Sequence, residues 1–171
     1  TWAIYDKVLI ISGSEYMTVL VYYSSSGAGK DRIAYTDDIS IIDKNGNVVF
    51  TENFDTLPTA GSEWSITSAS RGSFIKNVAK KSSGNMGLTI TTNGTGGVGA
   101  RSPVMEAEAG KEYTAKVRYM TSAPTFYVYL EFWTDEKLTQ RLNEQRVHLP
   151  ACTDWTDGEI TIKAPAGTKY V

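Results

Sequence analysis

The sequence predicts an all-β chain folded as an antiparallel β-sandwich of many short strands. Segments that alternate apolar and polar residues recur along the 171 residues. Such period-two patterns indicate strands with one buried face. Turn-forming residues separate these segments, and one short stretch, residues 136–145, has weak helical character. Many strands with almost no helix are typical of sandwiches rather than of mixed α/β folds.

The predicted strands follow one another at short intervals. The Asn45-Gly46 pair is a hairpin signal between two of them, residues 94–100 (GTGGVGA) form a glycine-rich loop, and 73–81 (SFIKNVAKK) are ambiguous. Residues 24–30 form a flexible connection. The predicted strands in chain order are 7–12 (KVLIIS), 18–23 (TVLVYY), 32–42 (RIAYTDDISII), 48–54 (VVFTENF), 87–93 (GLTITTN), 112–120 (EYTAKVRYM), 126–133 (FYVYLEFW), 145–149 (QRVHL) and 159–163 (EITIK).

The strand at 126–133 has a period-two alternation of side chains and is predicted to be the central strand of the fold. Side chains alternate between the two faces of a strand, so one face carries the apolar residues and is predicted to be core: Phe126, Val128, Leu130 and Phe132. Aromatic rings beside a carboxylate occupy the other face, a combination suited to stacking on sugars and binding their hydroxyls. The candidate ligand-binding residues of this face are Tyr127, Tyr129, Glu131 and Trp133.

Neighbouring strands are expected to add polar groups to that face. Lys116 and Arg118 alternate with apolar residues on one strand, and Arg146 and His148 do so on another. If both strands flank 126–133, the surface carries cations as well as rings. Because arginine pairs bidentately with carboxylates, a polysaccharide that carries uronic acids or pyruvate groups is a reasonable target. The alternative for each residue is an ordinary solvated strand face.

Composition excludes several classes of protein. The formal net charge of −2 gives no global attraction to nucleic acid or to an anionic membrane. No apolar run is long enough for a membrane-spanning helix. Cys152 is the single cysteine, which excludes an internal disulfide and a cysteine-rich zinc site. Abundant Gly, Ser, Thr and Asn with many aromatic residues suits a secreted or cell-surface β module.

The two ends of the chain resemble each other. Residues 1–17 are similar to 154–171, with Trp2 matching Trp155 and the segment 13–17 matching 167–171. We therefore expect a single module, residues 1–171, that is cut from a tandem array and linked to further repeat or catalytic domains. One strand is then present twice. Either 1–11 or 159–163 occupies its position, or two chains exchange strands in a dimer.

Read in permuted order, the motifs resemble the jelly-roll carbohydrate-binding modules of the family 4, 9 and 22 type. In this resemblance residues 44–171 supply most of the fold and 18–43 supply the family's C-terminal strands. It implies a circularly permuted jelly roll that binds polysaccharide. The matching segments are Asn53-Phe54-Asp55 with Trp64, Gly87 to Ile90, Gly110 to Thr114, Trp155 with Ala164 to Thr168, and Tyr35 to Ile39.

The resemblance also implies a structural calcium ion. It places the segment of Asp55 beside the strand of Asp38, with Glu52 as a third carboxylate. Calcium prefers several oxygen ligands, including backbone carbonyls. The alternative is that these carboxylates cap turns.

Non-catalytic polysaccharide binding is the predicted function, in a protein targeted to its glycan. A structural spacer or adhesion repeat without a sugar site is the alternative, and it is favoured if the ring face proves to be buried. An enzyme is not predicted. It would need a carboxylate facing Glu131 across a cleft, as in glycosidases, and the nearby Asp135 and Glu136 lie on the following turn.

Overall fold

The computed structural model describes residues 13–24, 33–56, 63–78 and 80–166. In these ranges the chain forms twelve strands and no helix, in two antiparallel sheets packed face to face. The predicted sandwich is therefore confirmed. The strands are β1 (Tyr16–Tyr23), β2 (Ile33–Asp43), β3 (Val48–Glu52), β4 (Ser65–Ile66), β5 (Gly72–Val78), β6 (Gly87–Thr92), β7 (Val98–Arg101), β8 (Met105–Glu106), β9 (Glu112–Thr121), β10 (Phe126–Trp133), β11 (Arg141–Leu149) and β12 (Cys152–Lys163).

Within the described residues, each sheet has six strands. The first sheet has the order β11-β10-β1-β7-β4, with β8 also paired to β1. The second sheet has the order β12-β9-β2-β6-β5, with β3 also paired to β2. The strand that the sequence marks as central, β10, thus lies between β1 and β11. The other strongly alternating strand, β9, belongs to the opposite sheet.

The core lies between β10 and β9, as the alternation predicts. Phe126 and Phe132 of β10 are fully buried, as are Val128 and Leu130 between them. The inward face of β9 supplies rings opposite them: Tyr119 lies 6.2 Å from Phe126, and Tyr113 lies 6.2 Å from Phe132, between ring centroids. Aromatic contacts at this distance join the two sheets.

The predicted hairpin between β2 and β3 is confirmed. Gly46 adopts a positive φ of 82° and donates its N–H to the carbonyl of Asp43. Asn47 donates its backbone N–H to the carboxylate of Asp43, which closes the turn. Glycine accepts this backbone conformation at low cost, so the Asn-Gly pair fixes where the chain reverses.

Three local predictions need revision. Residues 136–145 form no helix, because β11 begins at Arg141. The ambiguous segment 73–81 contributes strand β5. The glycine-rich segment 94–100 is partly strand, since β7 begins at Val98. In each case the segment is a strand because it pairs with a neighbouring strand. The local sequence does not show which segments will pair.

Strand β12, which contains the predicted strand 159–163, pairs with β9 from Lys163↔Glu112 to Thr156↔Tyr119. The end of β12 also meets the start of β1, because Ser14 donates its N–H and its hydroxyl to the carbonyl of Pro165 at 3.1 and 3.0 Å. The predicted strand 7–12 lies outside the described residues. Strand exchange between chains stays a prediction.

A search for membrane-crossing helices in the described part of the chain found none of sufficient length and apolar character.

Candidate functional site

The outward side of the first sheet carries the candidate site, which we call the β10 face. Strand β10 contributes the four residues predicted from the sequence. On one side β1 places Tyr22 opposite Tyr127, and on the other β11 places Arg146 opposite Tyr129. The β10 face comprises Tyr22, Arg101, Tyr127, Tyr129, Glu131, Trp133, Arg141, Glu144, Arg146 and His148.

Glu131 lies at the centre of this face and is fully buried. Its carboxylate accepts hydrogen bonds from Arg101 Nε at 2.7 Å, Arg101 Nη2 at 3.2 Å and Arg141 Nη1 at 2.9 Å. The Thr18 hydroxyl donates to the same carboxylate at 2.9 Å. A buried carboxylate needs this degree of compensation to remain ionised. Glu131 therefore positions two arginines and has little capacity left for a ligand.

Trp133 is covered by the same two arginines. The guanidinium carbons of Arg101 and Arg141 lie 5.3 and 5.6 Å from its ring centroid, in cation–π contact. The indole Nε1 donates to the Thr18 hydroxyl at 3.1 Å, and 7% of the residue is exposed. The prediction that Trp133 presents an open stacking surface is wrong, since cations from β7 and β11 cover the ring.

The tyrosines do not form a flat platform either. Tyr129 is 8% exposed, and its ring meets Tyr22 at 80° and Tyr127 at 61° in edge-to-face contacts. Tyr127 and Tyr22 are half-buried and remain partly accessible. The expected row of coplanar rings is therefore replaced by a T-shaped cluster, the arrangement that aromatic quadrupoles prefer.

Arg146 lies over this cluster and is exposed. Its guanidinium carbon is 4.8 Å from the Tyr127 ring centroid and 5.8 Å from that of Tyr129. Its Nη1 donates to the Tyr129 hydroxyl at 2.9 Å, and this hydrogen bond raises the pKa of Arg146 further. His148 packs against Tyr127 at 5.3 Å, and its Nε2 donates to the Pro124 carbonyl at 2.8 Å. The predicted placement of Arg146 and His148 beside β10 is confirmed.

Sequence reasoning missed four residues of this face: Tyr22, Arg101, Arg141 and Glu144. The glycine-rich segment was the one sequence feature that pointed to Tyr22. A Cβ at Gly97 or Gly99 would overlap the Tyr22 ring, so these positions have to be glycine. These glycines allow the ring to approach the backbone closely. Arg101 directly follows that segment, and Arg141 and Glu144 lie in the stretch that looked weakly helical, so none of the three carried a strand signal.

A groove of about 230 Å³ opens between these side chains on the β10 face. Its walls combine tyrosine rings, guanidinium groups, carboxylates and the hydroxyl-bearing loop after β4. The lining residues are Leu20, Tyr22, Thr67, Ser68, Arg101, Tyr129, Glu131, Arg141 and Glu144. Since Glu131 is buried, the polar atoms open to a ligand come mainly from Arg141, Glu144 and the two hydroxyl residues.

Lys116 and Arg118 do not belong to the β10 face, and the prediction that they flank β10 is wrong. Both lie on β9, in the second sheet, between β12 and β2. The alternating sequence of β9 does correctly predict that both side chains point away from the core. The sheet in which a strand lies depends on long-range pairing, and the local pattern does not contain it.

Two of the predicted calcium ligands, Asp38 and Asp55, accept hydrogen bonds from the loop 82–86. Asp55 Oδ1 accepts the backbone N–H groups of Asn85 at 2.5 Å and Met86 at 2.7 Å. Asp38 Oδ1 accepts the Ser83 hydroxyl at 2.7 Å. Glu52 accepts the Phe54 backbone N–H and the Trp64 indole N–H, at 2.8 and 3.2 Å.

The described side chains give no support to a calcium site at these carboxylates. Within 13–24, 33–56, 63–78 and 80–166, no three acidic, histidine or cysteine side chains are grouped so as to hold a metal. N–H donors point at Asp55 where a cation would have to approach. Asp55 and Asp38 do bind one loop, as expected from the resemblance, whereas Glu52 binds Phe54 and Trp64. Calcium binding there stays a prediction.

A glycosidase-type acid pair also finds no support in the geometry. Asp135 accepts the backbone N–H and hydroxyl of Thr139, and the Thr139 hydroxyl lowers the pKa of Asp135. The carboxylate opposite Glu131 in the sheet is Glu144, and both bind the same guanidinium, that of Arg141. The two lie side by side on adjacent strands rather than across a cleft.

No family model and no curated protein matches the chain. Two solved structures are distantly similar. One is a DUF4425 family protein from Bacteroides ovatus, with 7% identity, 87% of this chain and 94% of that chain covered, and a TM-score of 0.27. The other is a domain of unknown function, DUF4425, from Bacteroides vulgatus, with 6% identity, 93% and 98% covered, and a TM-score of 0.26. These scores support no conclusion about function.

Proposed function

We propose that this chain is a non-catalytic module that binds an acidic polysaccharide through the β10 face. The observation that carries the proposal is the exposed guanidinium of Arg146 over the rings of Tyr127 and Tyr129. It lies on the same face as the groove that contains Arg141 and Glu144. Cations beside partly exposed rings suit a sugar that bears a carboxylate.

The charge of the face favours an anionic ligand. Three arginines and two glutamates leave it with one net positive charge, and Glu131 is already neutralised by Arg101 and Arg141. Arg146 forms no ion pair among the described residues and donates one hydrogen bond to a neutral hydroxyl. Its remaining N–H groups are available for a uronate or a pyruvate substituent, while Tyr127 supplies an apolar surface for the sugar ring.

Affinity at one such site should be modest. A few polar contacts on a preformed surface give dissociation constants of roughly micromolar to millimolar. If the chain is one repeat of a tandem array, avidity raises the effective affinity. The proposed role is to hold a secreted enzyme, or a cell surface, against its polymer.

Affinity electrophoresis through gels that contain xanthan, alginate or pectin tests the proposal. The folded chain should be retarded by at least one of these anionic polymers, and Arg146→Ala should reduce the retardation. Lys163→Ala is the matched control, because it removes one exposed positive charge from the second sheet. Equal losses in the two variants would indicate nonspecific attraction, and no retardation of the folded parent would overturn the proposal.

A structural spacer is the second candidate, and a specific observation favours it. Trp133 and Tyr129 are 7% and 8% exposed, so two of the three predicted stacking rings serve to stabilise the sheet. A spacer needs no free cation, whereas Arg146 is exposed and unpaired with a carboxylate in the part of the chain that is described. The same gels decide between the two, since a spacer migrates unretarded.

A further inference from the structure

The outward side of the second sheet carries a larger concavity than the β10 face. One part of it has a volume of about 670 Å³ and contains the half-buried ring of Tyr35, Met120, Ser122 and Thr153. It lies where the pairing of β12 with β9 shifts register, between Cys152 and Thr156. Lys80 is exposed at its edge, with Nζ 6.0 Å from the Tyr35 ring centroid.

A second part, of about 490 Å³, adjoins it along β9 and is lined by charged groups. Lys116 and Arg118 of β9 lie between acidic or hydroxyl residues of the strands on either side: Asp38 and Ser40 of β2, and Asp157 and Glu159 of β12. When Lys80 is included, these residues contribute three positive and three negative charges, so the charges balance. We call the two parts together the β9 groove.

Two local features of the β9 groove bear on ligand binding. Asp38 has a positive φ of 46°, unusual for a residue other than glycine, at the point where β2 shifts register against β9. Strained backbone of this kind is concentrated at functional sites. Arg118 Nε is buried with no hydrogen-bond partner among the described residues. An unsatisfied buried N–H costs free energy that a ligand acceptor would offset.

Arg118 is also held loosely by its neighbours. Its Nη2 donates to the Trp155 carbonyl at 3.3 Å, and its Nη1 lies 3.5 Å from the Asp157 carboxylate. Both distances are long for charge-assisted contacts. A modest rotation of the guanidinium therefore exchanges weak internal contacts for bonds to a ligand.

We propose that the β9 groove is a second carbohydrate site, for a neutral sugar chain. Ring stacking on Tyr35 would hold one sugar, with Met120 beside it. The next sugar would lie over Lys116 and Arg118. There the cationic donors lie beside carboxylate acceptors, so sugar hydroxyl groups could both donate and accept hydrogen bonds. Balanced charge in the groove distinguishes it from the net positive β10 face, so the two faces would take chemically different polymers.

Affinity electrophoresis with neutral polymers tests this proposal separately. The parent chain should be retarded in gels of xylan, β-glucan or mannan, and Tyr35→Ala should weaken the apparent affinity about tenfold. Tyr127→Ala, on the opposite sheet, is the control and should keep its affinity for the neutral polymer. Circular dichroism shows whether each variant is folded.

If Tyr35→Ala fails to fold, Arg118→Ala provides the test of the neutral-sugar site. It should weaken binding to the same neutral polymer, and its retardation by anionic polymers, measured relative to a polymer-free gel, should stay that of Lys163→Ala, which loses the same charge. The proposal is overturned if no neutral polymer retards the folded parent, or if every folded variant of the groove binds as the parent does. Retardation by anionic polymers alone would support the β10 face while removing this second site.

Discussion

Glu131 binds Arg101 through both of its carboxylate oxygens, at 2.7 Å from Nε and 3.2 Å from Nη2. The pair spans β1, the strand that lies between β10 and β7. Arg141 of β11 and Thr18 of β1 bind the same carboxylate. One buried charge thus connects four neighbouring strands of the first sheet, and the stability of the sheet should depend on it.

Glu131→Gln should lower the free energy of unfolding by about 3 kcal/mol, because it leaves two guanidinium groups without their anion. The new amide NH₂ would also point at arginine donors. Urea denaturation measures the change. Glu144→Gln removes an exposed partner of Arg141 and should cost less than about 1 kcal/mol. Equal effects of the two changes would contradict the central role of Glu131.

Trp133→Ala should destabilise the fold by about 3–5 kcal/mol, because it empties a buried site and removes the hydrogen bond to Thr18. Tyr127→Ala should cost about 1 kcal/mol, since its ring is half-exposed. Thermal unfolding of the two variants checks the order. If Tyr127→Ala were the more damaging change, the assignment of Trp133 to structure and Tyr127 to the ligand surface would be reversed.

Gly84→Ala should cost at least about 2 kcal/mol, for two reasons. The residue has a positive φ of 57°, and an added Cβ would overlap the carboxylate of Asp55. Gly110→Ala is the matched control, with a φ of 82° and open space around the added carbon, and should cost about 1 kcal/mol from backbone strain alone. Chemical denaturation of both variants gives the difference, which reports how firmly Asp55 holds the loop.

Asp37 should make stability depend on pH. Burial raises the pKa of this carboxyl above 3.8, an effect partly opposed by backbone N–H bonds from Ser83, Ser82 and Asp38. The folded state then binds the proton more tightly than the unfolded state does. Its contribution to stability is full below the unfolded pKa and is lost as the pH rises through the folded pKa.

Asp37→Asn removes this titration and serves as the reference. The stability of the parent minus that of the variant should fall as the pH is raised from about 3 to about 7. Urea denaturation across that range measures the trend. A difference that grows with pH would mean that the N–H donors outweigh burial and that the pKa of Asp37 is lowered.

Local pattern was sufficient for much of the fold. The bounds of β10 and the burial of Phe126 and Phe132 follow from strict alternation, and Asn45-Gly46 fixes the hairpin between β2 and β3. Long-range pairing was not accessible in the same way. Strands that are far apart in the chain determine the sheet to which Lys116 belongs and the arginines that cover Trp133. The sequence therefore predicted only part of the candidate site.

The β10 face and the β9 groove are the outward sides of two different sheets, with the core between them. They therefore open in opposite directions. If both are occupied, a single module bridges two polymer strands instead of anchoring a protein to one. Mixing the chain with a neutral and an anionic polymer would then stiffen the mixture beyond either polymer alone, and the molecule would act as a crosslinker of a matrix.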